Sequence, residues 1–327
     1  MSNQRLQYID ALRGIAIFLV ILAHAFMFNG LSPVNEPKSP LACFWYNATF
    51  YFHLPLFFFI SGYFLSDTPQ NLKNTSLQIW KKVRQLFIPF LVCSFLLALW
   101  KGYTYWFLKT LFCFFLLCYP LNYIRYKFKF SDRANIIVSS IYYVVVSVFG
   151  IVVSKMPVIG LIIDFRLEYF VFFILGYLNR KTDYMRYVTD ELSLFFILIA
   201  CAWCYAYNTI FHSIFVDYLV GFLLILVVWK VFSKMSDNRF MKFLSWLGVN
   251  SIEIYILHFY FGYKIPMFGN YIIENLMSTD KNVVVTHLTL ELIVISTLTL
   301  CMMILSIMSS KVIKSNKYVS LLLFGRE

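Results

Sequence analysis

The sequence predicts an all-α fold: a polytopic integral membrane helical bundle of about ten transmembrane helices with both termini cytosolic. Three observations carry that expectation. Hydrophobic residues make up 61% of the 327-residue chain and charged ones only 13%, with a mean hydropathy of +0.73, a balance foreign to water-soluble domains of this length. The apolar residues fall in runs of the roughly 20 residues that a helix needs to cross hydrocarbon. The basic residues alternate from one connection to the next.

The first run, residues 8–28, is of spanning length and no small-residue A-x-A site closes it, so it is expected to remain as helix one. Residues 44–65 contain Pro55 and the Ser61-Gly62 pair, marks of a bent helix that packs closely. Residues 79–100 open on a basic stretch, 103–121 are rich in aromatics and 136–154 in Val and Ile. The run 157–178 carries its charges in one place, from Asp164 to Glu168. Runs 191–207, 211–232, 247–268 and 284–308 complete the set. The connections are short and polar, so residues 1–327 read as a single membrane domain. No 20–50-residue repeat or inverted symmetry is evident, which disfavours many transporter architectures.

The formal net charge of +12 is a topology signal, and nucleic acid is excluded as a partner. With the N-terminus inside, the inner segments carry clusters such as Lys73, Lys81, Lys82 and Arg84, or Arg125, Lys127, Lys129 and Arg133, whereas the outer ones hold only Lys38, Lys101, Lys155, Lys264 and Lys281. The inner tract YKFKFSDR, 126–133, suits either contact with lipid headgroups or a solvated topogenic loop. Seven scattered cysteines give no disulfide framework, and Cys201 and Cys204 sit in an apolar run without a polar loop.

Ionisable residues inside spans are expensive and therefore informative. At about 100° per residue, Arg13 and His24 lie about 20° apart around helix one, and Asp10 falls on the same stripe. Asp10 pairs with Arg13, three residues on; the same two residues also read as a boundary pair snorkelling to the interface. Arg13 and His24 are separated by roughly 16 Å along the axis. His53 in the second run and Glu253 and His258 in the ninth lie at buried depth, so three histidines are expected to converge on one pocket. No carboxylate or thiolate accompanies them at ligand spacing, and no metal is expected. Lys81 and Arg84 share a face that either suits phosphate or carries ordinary positive-inside charge; Asp164, Arg166 and Glu168 form either a cavity lining for a polar molecule or a structural ion-pair network.

The segments IDALRGIAIFLVILAH, FHLPLFFFISGYF, KKVRQLFIPF, YWFLKTLF and NSIEIYILH, in this order, resemble the membrane acyltransferase-3 family, within it the group related to fucose 4-O-acetylases. The resemblance is strong over the first 120 residues and weaker over 245–260. It implies transfer of an acyl group, usually acetyl from acetyl-CoA, to a hydroxyl of a surface carbohydrate or lipid-linked glycan, by a multi-pass protein of the bacterial inner membrane. It implies catalytic roles for His24 and Arg13, with Asp10 beside Arg13. The family's basic R-x-x-R stands here as Lys81-x-x-Arg84, which keeps the charge and loses one bidentate fork.

On that reading, Lys81, Arg84 and Arg13 hold the phosphates of cytosolic acyl-CoA while the thioester reaches towards His24, the general base. An acyl-histidine relay is the variant. Ser61, His53 or His258 polarises the thioester or orients the acceptor. No permanently bound cofactor is expected. The competing class is a transporter or exporter of glycan intermediates, which needs no base at position 24.

Overall fold

The computed structural model describes residues 4–31, 39, 41, 52–66, 68–101, 105–154, 166–191, 193–211, 214–265 and 267–326; their regular structure is helical, with no strand among them. The elements in order are α1 (Gln4–Phe28), α2 (His53–Tyr63), α3 (Leu72–Lys82), a π-helical turn (Val83–Phe87), α4 (Ile88–Lys101), α5 (Trp106–Phe128) and α6 (Asp132–Ser154). A 3-10 turn (Leu167–Tyr169) leads into α7 (Phe170–Thr182), α8 (Tyr184–Glu191), α9 (Leu194–Phe211) and α10 (Ile214–Lys234). The chain ends in α11 (Arg239–Val249), α12 (Ser251–Phe261), α13 (Phe268–Leu276), α14 (Lys281–Lys314) and α15 (Lys317–Phe324).

Among the described residues, five helical segments are long and apolar enough to cross a membrane: Gln7–Phe28, Leu72–Leu99, Trp106–Phe128, Phe215–Lys234 and Lys281–Lys314. Shorter apolar helices span His53–Tyr63, Ile137–Gly150 and Leu194–Trp203. Residues 44–51 and 157–165 of the expected second and sixth runs lie outside the described residues.

Two expected spans have a different internal structure. The third begins earlier, at Leu72, because Asn71 caps it by accepting the Asn74 N–H at 2.9 Å. It then widens into the π turn, where the Ile88 N–H reaches the Val83 carbonyl. Pro89 follows at once; its ring would strike the carbonyl of Gln85 in a regular helix, and the widened turn relieves that clash. The ninth expected run, 247–268, is two helices. Asn250 ends α11 by folding its side-chain amide back onto the Trp246 carbonyl at 2.8 Å, while its own carbonyl accepts the Ile254 N–H and opens α12.

The described chain divides into two compact units, Met1–Phe57 with Val188–Val312, and Phe58–Tyr187 with Ile313–Glu327. In the first, α1 packs mainly on α11 and also on α10 and α12. Gly14 lies against the backbone of Leu244, and Gly248 against that of Asp10, so neither position leaves room for a Cβ. Tyr8 meets Trp229 edge-on at 5.3 Å. In the second unit, Gly62 lies on the Phe173 carbonyl and Gly176 on that of Phe59. Around this contact Phe58, Phe114, Phe115, Phe170 and Phe173 form a buried aromatic cluster.

Candidate functional site

The C-terminal half of α1 and α12 bring two of the three singled-out histidines together. His24 Nδ1 and His258 Nε2 are 3.3 Å apart, with ring centroids separated by 4.9 Å. His258 is fully buried, whereas His24 keeps part of its surface exposed. Hydrogen-bond geometry assigns the protons. A backbone carbonyl only accepts, so the 2.8 Å approach to the Val20 carbonyl makes His24 Nδ1 an N–H donor. The 3.3 Å approach of His258 Nδ1 to the Ile254 carbonyl does the same there. His258 Nε2 is then an acceptor, and the His24 Nδ1–H is shared between it and Val20. The lone pair of neutral His24 therefore resides on Nε2.

Aromatic rings frame this imidazole: Phe259 lies at 4.7 Å edge-on and Phe28 at 5.9 Å, while Tyr255 approaches His258 at 5.8 Å. Such walls fix the ring plane and lower the local polarity, conditions under which a lone base keeps its direction. Glu253, fully buried, occupies the first turn of α12, where a carboxylate complements the helix N-terminus. His53 is buried at the first position of α2.

Towards the N-terminal end of α1, the Arg13 Nη1 donates to Asp10 Oδ1 at 3.4 Å, the expected pair, with side chains 28% and 22% exposed. That exposure leaves the pair accessible to a polar ligand. In the second unit, Lys81 is exposed in the last turn of α3 and Arg84 half-buried in the π turn. The π turn interrupts the regular repeat on which their shared face was reckoned. Neighbouring Lys82 sits over the Phe115 ring at 3.9 Å. Ser61 is partly exposed beside Gly62.

Arg166 and Glu168 form an ion pair at 3.8 Å, and the Arg166 guanidinium lies 5.4 Å from the Trp106 ring. Arg166 adopts a left-handed backbone, φ 44°, at the entry to the 3-10 turn. Asp164 lies outside the described residues. Among the described residues no group of three or more His, Cys, Asp or Glu side chains is placed to hold a metal ion.

Sequence reasoning missed three participants: Phe259 and Phe28, which read as ordinary apolar residues, and Asn29, whose Asn29-Gly30 dipeptide after an apolar run is a helix-stop signal. In the second unit Trp106 partners Arg166, a contact that no sequence spacing announces.

The chain as a whole places this geometry in a class. The family model for an acyltransferase domain matches residues 6–308, so the protein is a membrane acyltransferase. It belongs to the acyltransferase-3 family, as the five segments implied; the match does not single out the fucose 4-O-acetylase-related group. No curated protein and no solved structure matches the chain.

Proposed function

We propose that this enzyme is a membrane O-acyltransferase that moves an acyl group, most simply acetyl, from cytosolic acyl-CoA to a hydroxyl of a cell-surface or exopolysaccharide sugar, with His24 as general base. The observation that carries the reading is the fixed tautomer: with Nδ1–H engaged by Val20 and His258, His24, a partly exposed residue, presents a lone pair at Nε2. In the transfer step the acceptor oxygen bonds to the thioester carbonyl carbon as its proton passes to Nε2. The C–S bond then breaks, and the proton moves from His24 to the departing sulfur, giving the ester and free thiol. During the step His24 is an imidazolium, and the Nδ1–H bond to neutral His258 strengthens as charge develops.

Donor binding belongs to cations. Lys81 and Arg84 in the second unit, or Arg13 in the first, supply fixed positive charge for nucleotide phosphates, supported by the exposure of Lys81 and the partial exposure of Arg84 and Arg13. Ten spans, cytosolic termini, a bacterial inner-membrane location and one functional domain over 1–327 form part of the same reading, supported by the alternation of basic residues between connections. Arg166, Glu168 and Trp106 are assigned to the acceptor, a sugar whose ring stacks on an indole and whose hydroxyls pair with charge.

The test is the ester-linked acyl content of the host's surface glycan, measured by base release and mass analysis in a deletion strain carrying wild type or His24→Ala. Restoration by wild type and not by an equally expressed His24→Ala is the expected result. Ester content that never depends on the protein overturns the reading in favour of export.

A further inference from the structure

We propose that Asn29 is a positioning residue for acyl transfer, locking α1 and α12 in the register that keeps His24 and His258 in hydrogen-bond contact; the inference rests on the reading of His24 as base. The end of α1 is sharply defined. Gly30 is left-handed, φ 74°, and the Leu31 and Gly30 N–H groups return to the Phe26 and Met27 carbonyls at 3.1 and 3.3 Å. This stop fixes Asn29, 2% exposed, as the last residue of the helical path.

The Asn29 side chain then joins two chain segments. Its Nδ2 donates to the Ala25 carbonyl at 2.9 Å and to the Tyr263 carbonyl at 3.3 Å, and its Oδ1 accepts the Ile265 N–H at 2.9 Å. Both N–H donors and the carbonyl of one amide are thereby used. Ala25 and His24 are neighbours on α1, and Tyr263 follows two residues after α12 ends. His24 stands five residues before Asn29, and His258 five before Tyr263, the last two of those five lying beyond the end of α12. Gly262 lies on the Phe28 ring and Gly269 on the Asn29 carbonyl, close approaches that a Cβ at either position would push apart.

The histidine contact, at 3.3 Å, is near the outer edge of hydrogen-bond range, so a slip of a few tenths of an ångström along α1 breaks it. An amide is the group that this lock requires. Aspartate has the same shape but donates nothing to the two carbonyls it would face, and alanine makes none of the three bonds.

The experiment compares wild type, Asn29→Asp, Asn29→Ala and Asn29→Gln as purified full-length enzyme, with acetyl-CoA as donor and water or a soluble sugar as acceptor. Histidine-selective nitrogen NMR reads the His24 tautomer, assigned through His24→Ala. Asn29→Asp and Asn29→Ala are expected to lower kcat by about 10- to 100-fold with the donor KM within about twofold, and to replace the single His24 tautomer by a mixture. Asn29→Gln, which retains the amide, is expected to recover part of kcat and to carry the test should alanine not accumulate folded. In a His24→Ala background Asn29→Asp is expected to add no further loss, whereas a merely structural defect would add its own.

A kcat within about threefold of wild type in Asn29→Asp, with His24→Ala inactive, overturns the role of Asn29 and leaves the base assignment standing. A fully active His24→Ala removes the base reading instead. The tautomer then decides for Asn29 alone: an unchanged His24 signal in Asn29→Ala overturns the lock, and a mixed one sustains it.

Discussion

The contact of α1 with α11 and the contact of α2 with α7 are built alike. In each, two helices meet backbone to backbone, with a glycine of one against a carbonyl of the other and the relation returned: Gly14 on Leu244 and Gly248 on Asp10, Gly62 on Phe173 and Gly176 on Phe59. The surroundings differ. The α2–α7 contact is packed among phenylalanines, whereas the α1–α11 contact has the Asp10–Arg13 pair at its edge, on a helix that continues to His24. Close approach serves packing in both, because glycine removes the side chains that hold helices apart in lipid. Only at α1 does it also set where charged and titratable groups stand.

The comparison breaks most severely at its shared device. Gly248→Leu and Gly62→Leu each drive a branched side chain into a backbone carbonyl that has no flexible end to yield, and both are expected to abolish recovery of folded protein, read as monodisperse material in detergent. If Gly62→Leu accumulates normally, the α2–α7 contact is looser than described.

The next largest effect separates the two regions. His24→Ala is expected to lower transfer by about 10²- to 10⁴-fold while folded protein still accumulates, since the residue is partly exposed in the last two turns of α1. Phe59→Leu, at the dry contact, is expected to do the reverse, costing about 1 kcal/mol of stability while leaving kcat per folded enzyme near wild type. A smaller loss comes from His258→Ala, which removes one hydrogen bond to the charged form of the base, worth about 1.5–3 kcal/mol or roughly 10- to 100-fold in kcat. His258→Gln, which keeps an acceptor in the same region, recovers part of it. Equal losses in alanine and glutamine would mean that His258 fills space.

What the sequence made legible follows one rule: groups that hydrocarbon rejects stand out. Asp10, Arg13, His24 and His258 were visible because each interrupts an apolar run, and helical spacing alone paired the first two. That His258 would meet His24 was expected from depth alone, but the atoms that meet were not legible, because the break at Asn250 sets where α12 begins and a single asparagine in an apolar run reads equally as a surface residue. Asn29 escaped for the opposite reason. Asn-Gly after a helix is so common a stop signal that a second, tertiary use of the amide leaves no further trace in one sequence. The π turn beside Arg84 was obscured in the same way, since Pro89 announces a distortion without saying which one.

The smallest expected effect tests the charged end of α1, and it divides two roles that share one ion pair. A partly exposed pair contributes about 0–1 kcal/mol, so Asp10→Asn is expected to shift the melting temperature by no more than a few degrees. If Arg13 also meets a donor phosphate, losing Asp10 removes a carboxylate that competes for the guanidinium, and the donor KM in Asp10→Asn should stay level or fall. Arg13→Ala should then raise the donor KM about tenfold with kcat retained, and raising the salt concentration should weaken wild-type donor binding while leaving the variant less affected. Equal KM values for wild type and Arg13→Ala across salt would reduce the pair to a boundary marker. Donor binding would then rest on Lys81 and Arg84, the exposed and half-buried cations flanking the start of the π turn.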